Sequence, residues 1–464
     1  MNDSEIHIKK PQSQNPKVII IGSGVAGMNL INHLIRSEKS FDITCITQEQ
    51  ICDYSTCGIP YVLDGEVRSF EDLILHKPDY FNDNNVKLLK NTKVISINIE
   101  NNSLILADQS KTDEYQKYEL AFDILVLATG RAPVTPPIDG LDLKGVHTLM
   151  NYSDGEELFI AKEDKHNGVI IGAGIIGLEV ASAFNNIGMK TTVVELAPNV
   201  LPAILDEDMA HIVDEWLSEK GIEIITGTAV EKVLGKDSVE FVKLNNNEEL
   251  KADIVLLSAG VKPNSTLAAQ CGLDIGDLGG IITDKTQRTL RHGSSINNVF
   301  ALGDCVESKN FITNDPMISA LASTALLQSR VIVENIHNRY SEMNGVLNPT
   351  VTQVAGLQIG SVGLTSYFAK KAGIEFKTAK SSGKSHSRYY PGWREIYFKF
   401  IVSDGKLIGA QIVGEKDVKE RINLLALAIH ARVELKTLYN LERCYTPPLS
   451  LLTDPMHKAL KQLI

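Results

Sequence analysis

One pattern occurs twice in this chain and restricts its fold more than any other feature: a buried-type strand, a glycine turn and a helix. Lys17-Val18-Ile19-Ile20-Ile21 is a continuous apolar run, the signature of a strand covered on both faces. It leads into Gly22-Ser23-Gly24-Val25-Ala26-Gly27 and then a helical pattern to about Glu38. Gly168-Val169-Ile170-Ile171 leads likewise into Gly172-Ala173-Gly174-Ile175-Ile176-Gly177, with a helix to about Ile187 and a strand near Thr191–Glu195. Strand, glycine turn and helix in that order are what a dinucleotide fingerprint requires. The glycines permit a tight turn and let a pyrophosphate approach the helix N-terminus, where free N–H groups and the dipole favour an anion. Two fingerprints 150 positions apart imply two separate nucleotide sites.

The acid that closes each unit differs. Glu195 stands 18 residues after Gly177, close to the roughly 20 expected for a ribose-binding carboxylate. No arginine follows it in Leu196-Ala197-Pro198-Asn199. A carboxylate there accepts ribose hydroxyls and repels a 2′-phosphate, so NADH is favoured over NADPH. In the first unit Thr47 occupies the place where a carboxylate is usual. Either Glu49 reaches back, or that ribose is held by a hydroxyl or an amide.

Composition narrows the setting. A length of 464 residues allows about three domains. A net charge of −11 argues against a general nucleic-acid or anionic-membrane surface. Six cysteines are too few for a disulfide scaffold and suit a reducing, cytoplasmic compartment. Residues 1–16 are polar, so no signal peptide is expected, and no apolar run approaches the roughly 18 residues of a membrane span. No metal site is expected.

Three later pieces complete the pattern: Phe122–Gly130 and Asp253–Gly260, each a strand ending in a small-residue turn, and Asn298–Asp304, where an acid follows a strand and a glycine. In this order they resemble the two-dinucleotide-domain flavoprotein disulfide reductase superfamily. The resemblance implies an α/β chain with two Rossmann-like domains, one for FAD and one for NAD, and an α+β C-terminal dimerisation domain. The FAD domain would be split over 17–148 and 282–345, with the NAD domain at 149–281 and the dimerisation domain at 346–464. FAD contacts then fall on Gly22, Gly24, Ala26, Gly27, Thr47, Glu49, Thr129, Gly130 and Gly303, with Asp304 on the ribityl chain. NADH contacts fall on Gly172, Gly174, Ile176, Gly177, Glu195 and Gly260, with Glu179 near nicotinamide and flavin.

The segment Tyr54-Ser55-Thr56-Cys57-Gly58-Ile59-Pro60-Tyr61 resembles the single-cysteine branch of the superfamily, which holds coenzyme A disulfide reductases, NADH oxidases and persulfide reductases. That makes Cys57 the redox cysteine, with Ser55 and Thr56 beside substrate. A thiol suits the task because its thiolate is a nucleophile and its oxidised forms are reducible. Cys45, Cys271 and Cys305 read as buried packing. Cys52 stays open: its spacing from Cys57 matches two-cysteine reductases, yet it falls where the single-cysteine branch has an apolar residue.

Ser387-Arg388-Tyr389-Tyr390-Pro391-Gly392 and Cys444-Tyr445-Thr446-Pro447-Pro448 resemble stretches whose tyrosines enter the partner subunit's active site in coenzyme A disulfide reductases. The resemblance thus gives Tyr445 and one of Tyr389 or Tyr390 a hydrogen-bonding role toward a leaving thiolate, in a homodimer with shared sites. Arg36 matches a coenzyme A-binding arginine, while Asn85 stands at a second position that is basic in those enzymes. The first glycine loop lacks the histidine that NADH oxidases and peroxidases of the branch carry. The implied reaction is NADH-dependent reduction of a small disulfide, persulfide or polysulfide. The alternatives are an NADH oxidase or peroxidase, and a flavin component passing electrons to a protein partner.

Overall fold

In the computed structural model, which describes residues 15–109 and 117–464, each fingerprint lies at the C-terminal end of a central strand in a parallel sheet. Most of the polar segment 1–16, and the expectation attached to it, falls outside the described residues. Lys17–Ile21 pairs in parallel with Asp42–Ile46 on one side and Ile124–Leu127 on the other. Val86–Leu89 extends one side of the sheet, and Ser294–Ala301 pairs in parallel with Ile124–Leu127 on the other. This sheet therefore takes strands from both sides of the second unit in the sequence.

The continuous apolar run is explained by what covers it. Ile19 and Ile21 join one buried cluster with Leu125 and Val299, while Val18 and Ile20 join another with Leu30 and Ile332. Both faces are packed, so alternation would leave half of the strand polar in a dry interior. Each such side chain contributes about 1.5–3 kcal/mol on burial.

The second unit repeats the plan. Asn167–Ile171 lies between Lys190–Val194 and Ile254–Leu257, with Ile222–Ile225 and Val146–His147 at the edges. Its edge strand Val146–His147 precedes residue 149. Each unit also carries a three-stranded antiparallel sheet before the parallel strand that ends in its small-residue turn: Thr92–Asn98, Ser103–Asp108 and Lys117–Ala121 ahead of Ile124–Leu127 in the first, Val230–Leu234, Phe241–Leu244 and Glu249–Lys251 ahead of Ile254–Leu257 in the second. The chain crosses between units on a two-stranded ribbon, Arg131–Pro133 paired antiparallel with Val261–Pro263. Gly130 (φ +66°) and Gly260 (φ +106°) begin the two crossings, both in the left-handed region that suits glycine.

The C-terminal portion is α+β, as expected. Thr350–Val354, Leu357–Gly363, Lys406–Gly414, Glu395–Ser403 and Lys377–Lys384 form, in that spatial order, an antiparallel sheet. Helices Val418–His430 and Pro455–Leu463 cover it, closing a core around Phe398, Phe400 and Ile412. It is tied to the second unit by Lys399, which is 7% exposed and meets Asp206 at 2.8 Å and Asp208 at 2.7 Å. Among the described residues no helix is long and apolar enough to cross a membrane.

Candidate active site

The two glycine turns are built alike. Gly22 has φ +116°, and a Cβ there would sit 2.1 Å from the Ala128 carbonyl oxygen. A Cβ on Gly27 would sit 2.0 Å from the Gly22 carbonyl oxygen, so the helix Val25–Ile35 could not pack as closely on its turn. In the second unit Gly172 and Gly177 meet the same obstacles, from Ser258 at 2.4 Å and from Gly172 itself at 2.1 Å. Gly24 and Gly174 differ, because a Cβ on either would meet nothing within 4 Å. They face open space at the N-termini of the helices Val25–Ile35 and Ile175–Asn186, and neither terminus is capped by a side chain. Free N–H groups and dipole ends aimed into open clefts fit the pyrophosphates of two dinucleotides. Ala26 and Ile176 lie within the first turn of these helices.

The closing residues separate the clefts. Glu195 accepts the Ala173 N–H at 2.7 Å through Oε2 and the Ala197 N–H at 2.7 Å through Oε1. The bridge aims a carboxylate at the mouth of the second glycine turn, with lone pairs left for ribose hydroxyls. In the first unit Thr47 is buried and its Oγ1 accepts the Glu49 N–H at 3.2 Å. Glu49 directs Oε2 to the Tyr54 hydroxyl, which donates at 2.7 Å and itself accepts the Tyr152 N–H at 3.0 Å.

Cys57 lies in the short 3₁₀ turn Thr56–Gly58 that precedes the helix Ile59–Leu63. Backbone bonds place this segment: the Asp53 N–H donates to Ser23 in the glycine loop at 3.3 Å, and the Ser55 N–H donates to Leu73 at 2.9 Å. Cys57 is exposed and free, and Cys52 is buried and free, so no disulfide joins them. Cys45 and Cys305 are also buried and Cys271 half-buried, which agrees with packing. Although Cys57 is open to solvent on one side, the protein packed around its sulfur pushes the thiol up, as does the Glu179 carboxylate; Arg131 pulls it down and Asp304 adds a further upward push. These interactions bring residues from four chain segments to one place.

Asp304 follows the strand Ser294–Ala301, in a loop where the Gly303 N–H donates to Gln328 Oε1 at 2.8 Å. Gly303 packs so closely on Ala26 that a Cβ would come within 2.7 Å of its methyl group. Arg131 Nε stands 3.4 Å from Asp304 Oδ2. Burial raises the Asp304 carboxyl, and Arg131 opposes the rise. Glu179 is on the second fingerprint helix, where Oε1 accepts the Thr352 hydroxyl at 2.5 Å; burial pushes its carboxyl up despite that bond. Thr129 donates to the Asn264 carbonyl at 2.6 Å across the ribbon.

Other expected residues stand apart. Tyr389, Tyr390 and Tyr445 are 76%, 43% and 45% exposed, in loops joined by the Ser387 N–H to Pro447 at 3.3 Å. Among the described residues no hydrogen bond or ring contact links them to Cys57 within one chain. His386 is buried, its ring nitrogens occupied by Ser385 and the Pro391 carbonyl, so it anchors the loop. Arg36 is the exposed C-cap of the first fingerprint helix.

Two groups beside this centre escape a reading of motifs. Arg131 follows directly on the Thr129-Gly130 turn, and a charge at the end of a buried strand is the signal that marks it. Asp53, 4% exposed at φ +53°, holds His76 in a close hydrogen bond, and His76 stacks on Tyr80 with ring centroids 3.9 Å apart. These residues are 23 positions apart in sequence, with no spacing that announces the contact.

Known proteins resemble this chain over nearly its whole described length. A family model described as pyridine nucleotide-disulphide oxidoreductase matches residues 16–329, and the dimerisation-domain model of the same family matches 349–455. The NADH oxidase of Methanocaldococcus jannaschii is 38% identical over 454 residues, 97% of this chain and 98% of that one. The NAD(P)H coenzyme A polysulfide/persulfide reductase of Pyrococcus horikoshii is 31% identical over 450 residues, 96% of this chain and 98% of that one. The solved NAD-dependent persulfide reductase of A. fulgidus superposes with a TM-score of 0.91 at 34% identity, covering 96% of this chain and 83% of that one.

Proposed function

The chain belongs to the pyridine nucleotide-disulphide oxidoreductase family, FAD-dependent enzymes that use NAD(P)H, and from that premise we propose that it reduces a low-molecular-weight disulfide, persulfide or polysulfide at Cys57. The observation that carries the reading is the state of Cys57: an exposed, unpaired thiol in the segment that hydrogen-bonds the first glycine loop, while its neighbour Cys52 is buried.

In this reading 17–148 and 282–345 hold FAD and 149–281 hold NADH. Gly22, Gly24 and Gly27 admit the FAD pyrophosphate, with Thr129 and Gly130 at the domain crossing and Asp304 toward the ribityl chain. Gly172, Gly174 and Gly177 do the same for NADH, and Glu195 meets its ribose. Bound FAD supplies a two-electron link between NADH and sulfur.

The Cys57 thiolate attacks one sulfur of the substrate S–S bond, forming a mixed disulfide and expelling one thiolate. Two electrons from NADH then cleave that mixed disulfide, and a proton completes the second product thiol. Because burial and Glu179 favour the protonated thiol, the thiolate needs a nearby positive charge. Tyr445 and Tyr389 or Tyr390, supplied across a homodimer, hydrogen-bond the departing thiolate. Arg36 receives a phosphate if the substrate is coenzyme A-linked. A cytoplasmic setting completes the proposal.

NADH oxidation measured against coenzyme A disulfide, coenzyme A persulfide, polysulfide, peroxide and oxygen tests this reading. Cys57→Ser is expected to keep NADH-driven flavin bleaching and lose sulfur turnover by at least 100-fold. Undiminished sulfur turnover in that variant would overturn it. The 38% identity to an NADH oxidase supports a second reading, in which oxygen is the acceptor. Oxygen consumption that exceeds sulfur turnover at equal NADH would favour it.

A further inference from the structure

A buried hydroxyl of the C-terminal sheet finds its partner in the second nucleotide-binding unit. Thr350–Val354 is the edge strand of that sheet, with Thr350, Thr352 and Val354 buried and Val351 turned outward. Alternation along a strand makes such an inward position apolar by default, and a hydroxyl buried there needs a partner. Thr352 donates to Glu179 Oε1 at 2.5 Å. One turn further along the helix Ile175–Asn186, Ser182 Oγ accepts the Ala355 N–H at 3.0 Å. The end of the strand is thus fastened along one face of the second fingerprint helix.

Glu179 stands on a seam between three parts of the chain. It lies about one turn into its helix, past the open N-terminus at Gly174 that suits a pyrophosphate. That helix packs against Ile59–Leu63, the helix following Cys57: Ile59, Val62, Leu178, Ala181 and, from the C-terminal strand, Val354 share one buried cluster. Asn186 Nδ2 donates to Asp64 Oδ2 at 3.0 Å across the same contact. A dinucleotide with its pyrophosphate at Gly174 has to send its nicotinamide toward the first unit, where FAD is held, and this seam faces that unit. Glu179 is half-buried, and among the described residues it enters no ion pair and its Oε2 has no protein hydrogen bond. Burial and then the Glu179 charge push up both the Cys57 thiol and the Tyr61 phenol, and Thr350–Val354 carries no titratable side chain, so none of these supplies a cation. A carboxylate withdrawn from water without a cation is costly, which points to a use for its free oxygen.

We infer that Thr352 is a positioning residue for the nicotinamide end of the dinucleotide: from the C-terminal sheet its hydroxyl fixes one oxygen of Glu179 and leaves the other to meet the nicotinamide. The inference rests on the reading of 149–281 as the NADH unit and extends that site into the C-terminal portion. A fixed carboxylate suits this end of the ligand, because the carboxamide offers N–H donors and the oxidised ring carries positive charge. Burial pushes the Glu179 carboxyl up, and the bond from Thr352 opposes the rise. Removing the hydroxyl therefore favours the neutral acid, which no longer attracts that charge.

The test is calorimetric titration of the oxidised holoenzyme with NAD⁺ and with ADP-ribose, which lacks the nicotinamide, across the acid and neutral pH range. Thr352→Val keeps the branched shape and removes the hydroxyl. It is expected to weaken NAD⁺ binding about fivefold, the effect of one lost hydrogen bond, and to leave ADP-ribose binding unchanged. In the wild type the preference for NAD⁺ over ADP-ribose should fall as pH drops and Glu179 takes up a proton. In Thr352→Val that fall should come about one pH unit higher. Thr352→Ser, which keeps the hydroxyl, is expected to restore both properties, and Glu179→Gln to abolish the pH dependence. If Thr352→Val does not fold, Thr352→Ala takes its place with the same expectations, since the ratio of the two ligands is read within one protein. An unchanged ratio without the hydroxyl, equal weakening of both ligands, or a Thr352→Ser protein that behaves like Thr352→Val would overturn the inference. A wild-type holoenzyme that binds neither ligand would instead refute the reading of the NADH unit on which it rests. No sulfur compound enters the measurement, so a wrong substrate would leave these results intact.

Discussion

Lys399→Met tests what fastens the second nucleotide-binding unit to the C-terminal sheet. Lys399 lies on Glu395–Ser403 and bridges Asp206 and Asp208, at the N-terminal end of the helix Glu207–Glu219. Methionine keeps the apolar stem and removes the charge, leaving the Asp206 carboxylate buried. Breaking one partner of a buried ion pair costs about 3–5 kcal/mol. Two compensations place this site at the lower end. Asp206 still accepts from Ser366 through N–H at 2.9 Å and Oγ at 2.7 Å, and Asp208 still meets Lys380 at 2.8 Å. The expected loss is therefore about 3 kcal/mol.

Trp216 reports the event, because it is on that helix and donates to the Ala355 carbonyl of the C-terminal portion at 3.0 Å. The chain has two tryptophans, so Trp393→Phe isolates its fluorescence in a urea titration. Burial pushes the Asp208 carboxyl up, but its bonds to Lys380 and Lys399 outweigh that and hold it below the usual value. A carboxyl depressed on folding stabilises above its unfolded value of about 3.9 and loses that contribution as pH falls through the folded value. The advantage of the wild type should therefore narrow as pH falls below about 4. The double variant Asp206→Asn, Lys399→Met should recover part of the loss, since no buried charge is then left alone at Asp206. A loss below about 1 kcal/mol, the range of an exposed pair, would refute the reasoning.

Gly27→Ala places a Cβ 2.0 Å from the Gly22 carbonyl oxygen and should strip FAD from the purified protein, whereas Gly177→Ala, 2.1 Å from Gly172, should keep FAD and lose NADH-driven bleaching. Flavin absorbance with and without NADH checks both, and loss of FAD in each variant would contradict two independent sites. Glu195→Ser removes the carboxylate that repels a 2′-phosphate and is expected to raise the NADPH:NADH ratio of kcat/KM about tenfold, equivalent to about 1.4 kcal/mol. Steady-state rates with each nucleotide decide it, and an unchanged ratio would remove Glu195 from cofactor choice.

The amino-acid sequence alone determined the two parallel sheets and the place of their glycine turns. Those are local facts: an uninterrupted apolar run needs cover on both faces, and glycines at fixed spacing need a tight turn before a helix. Ile19 and Ile20 in separate cores, and Gly27 against Gly22, are that reading in three dimensions. The Tyr-Ser-x-Cys-Gly motif likewise singles out Cys57 by local pattern alone. Its accessibility was another matter. Cys52 and Cys57 are five positions apart in one segment, and only folding buried the first and left the second open. The surroundings of Cys57 were equally beyond local pattern, because Arg131, Glu179 and Asp304 come from chain segments far apart in sequence. Their charges act through space, and sequence spacing carries no record of which carboxylates a ribbon, a helix and a loop will bring to one thiol. Tertiary structure alone decided that Arg131 stands beside Asp304, because it set where the chain crosses between its two nucleotide-binding units.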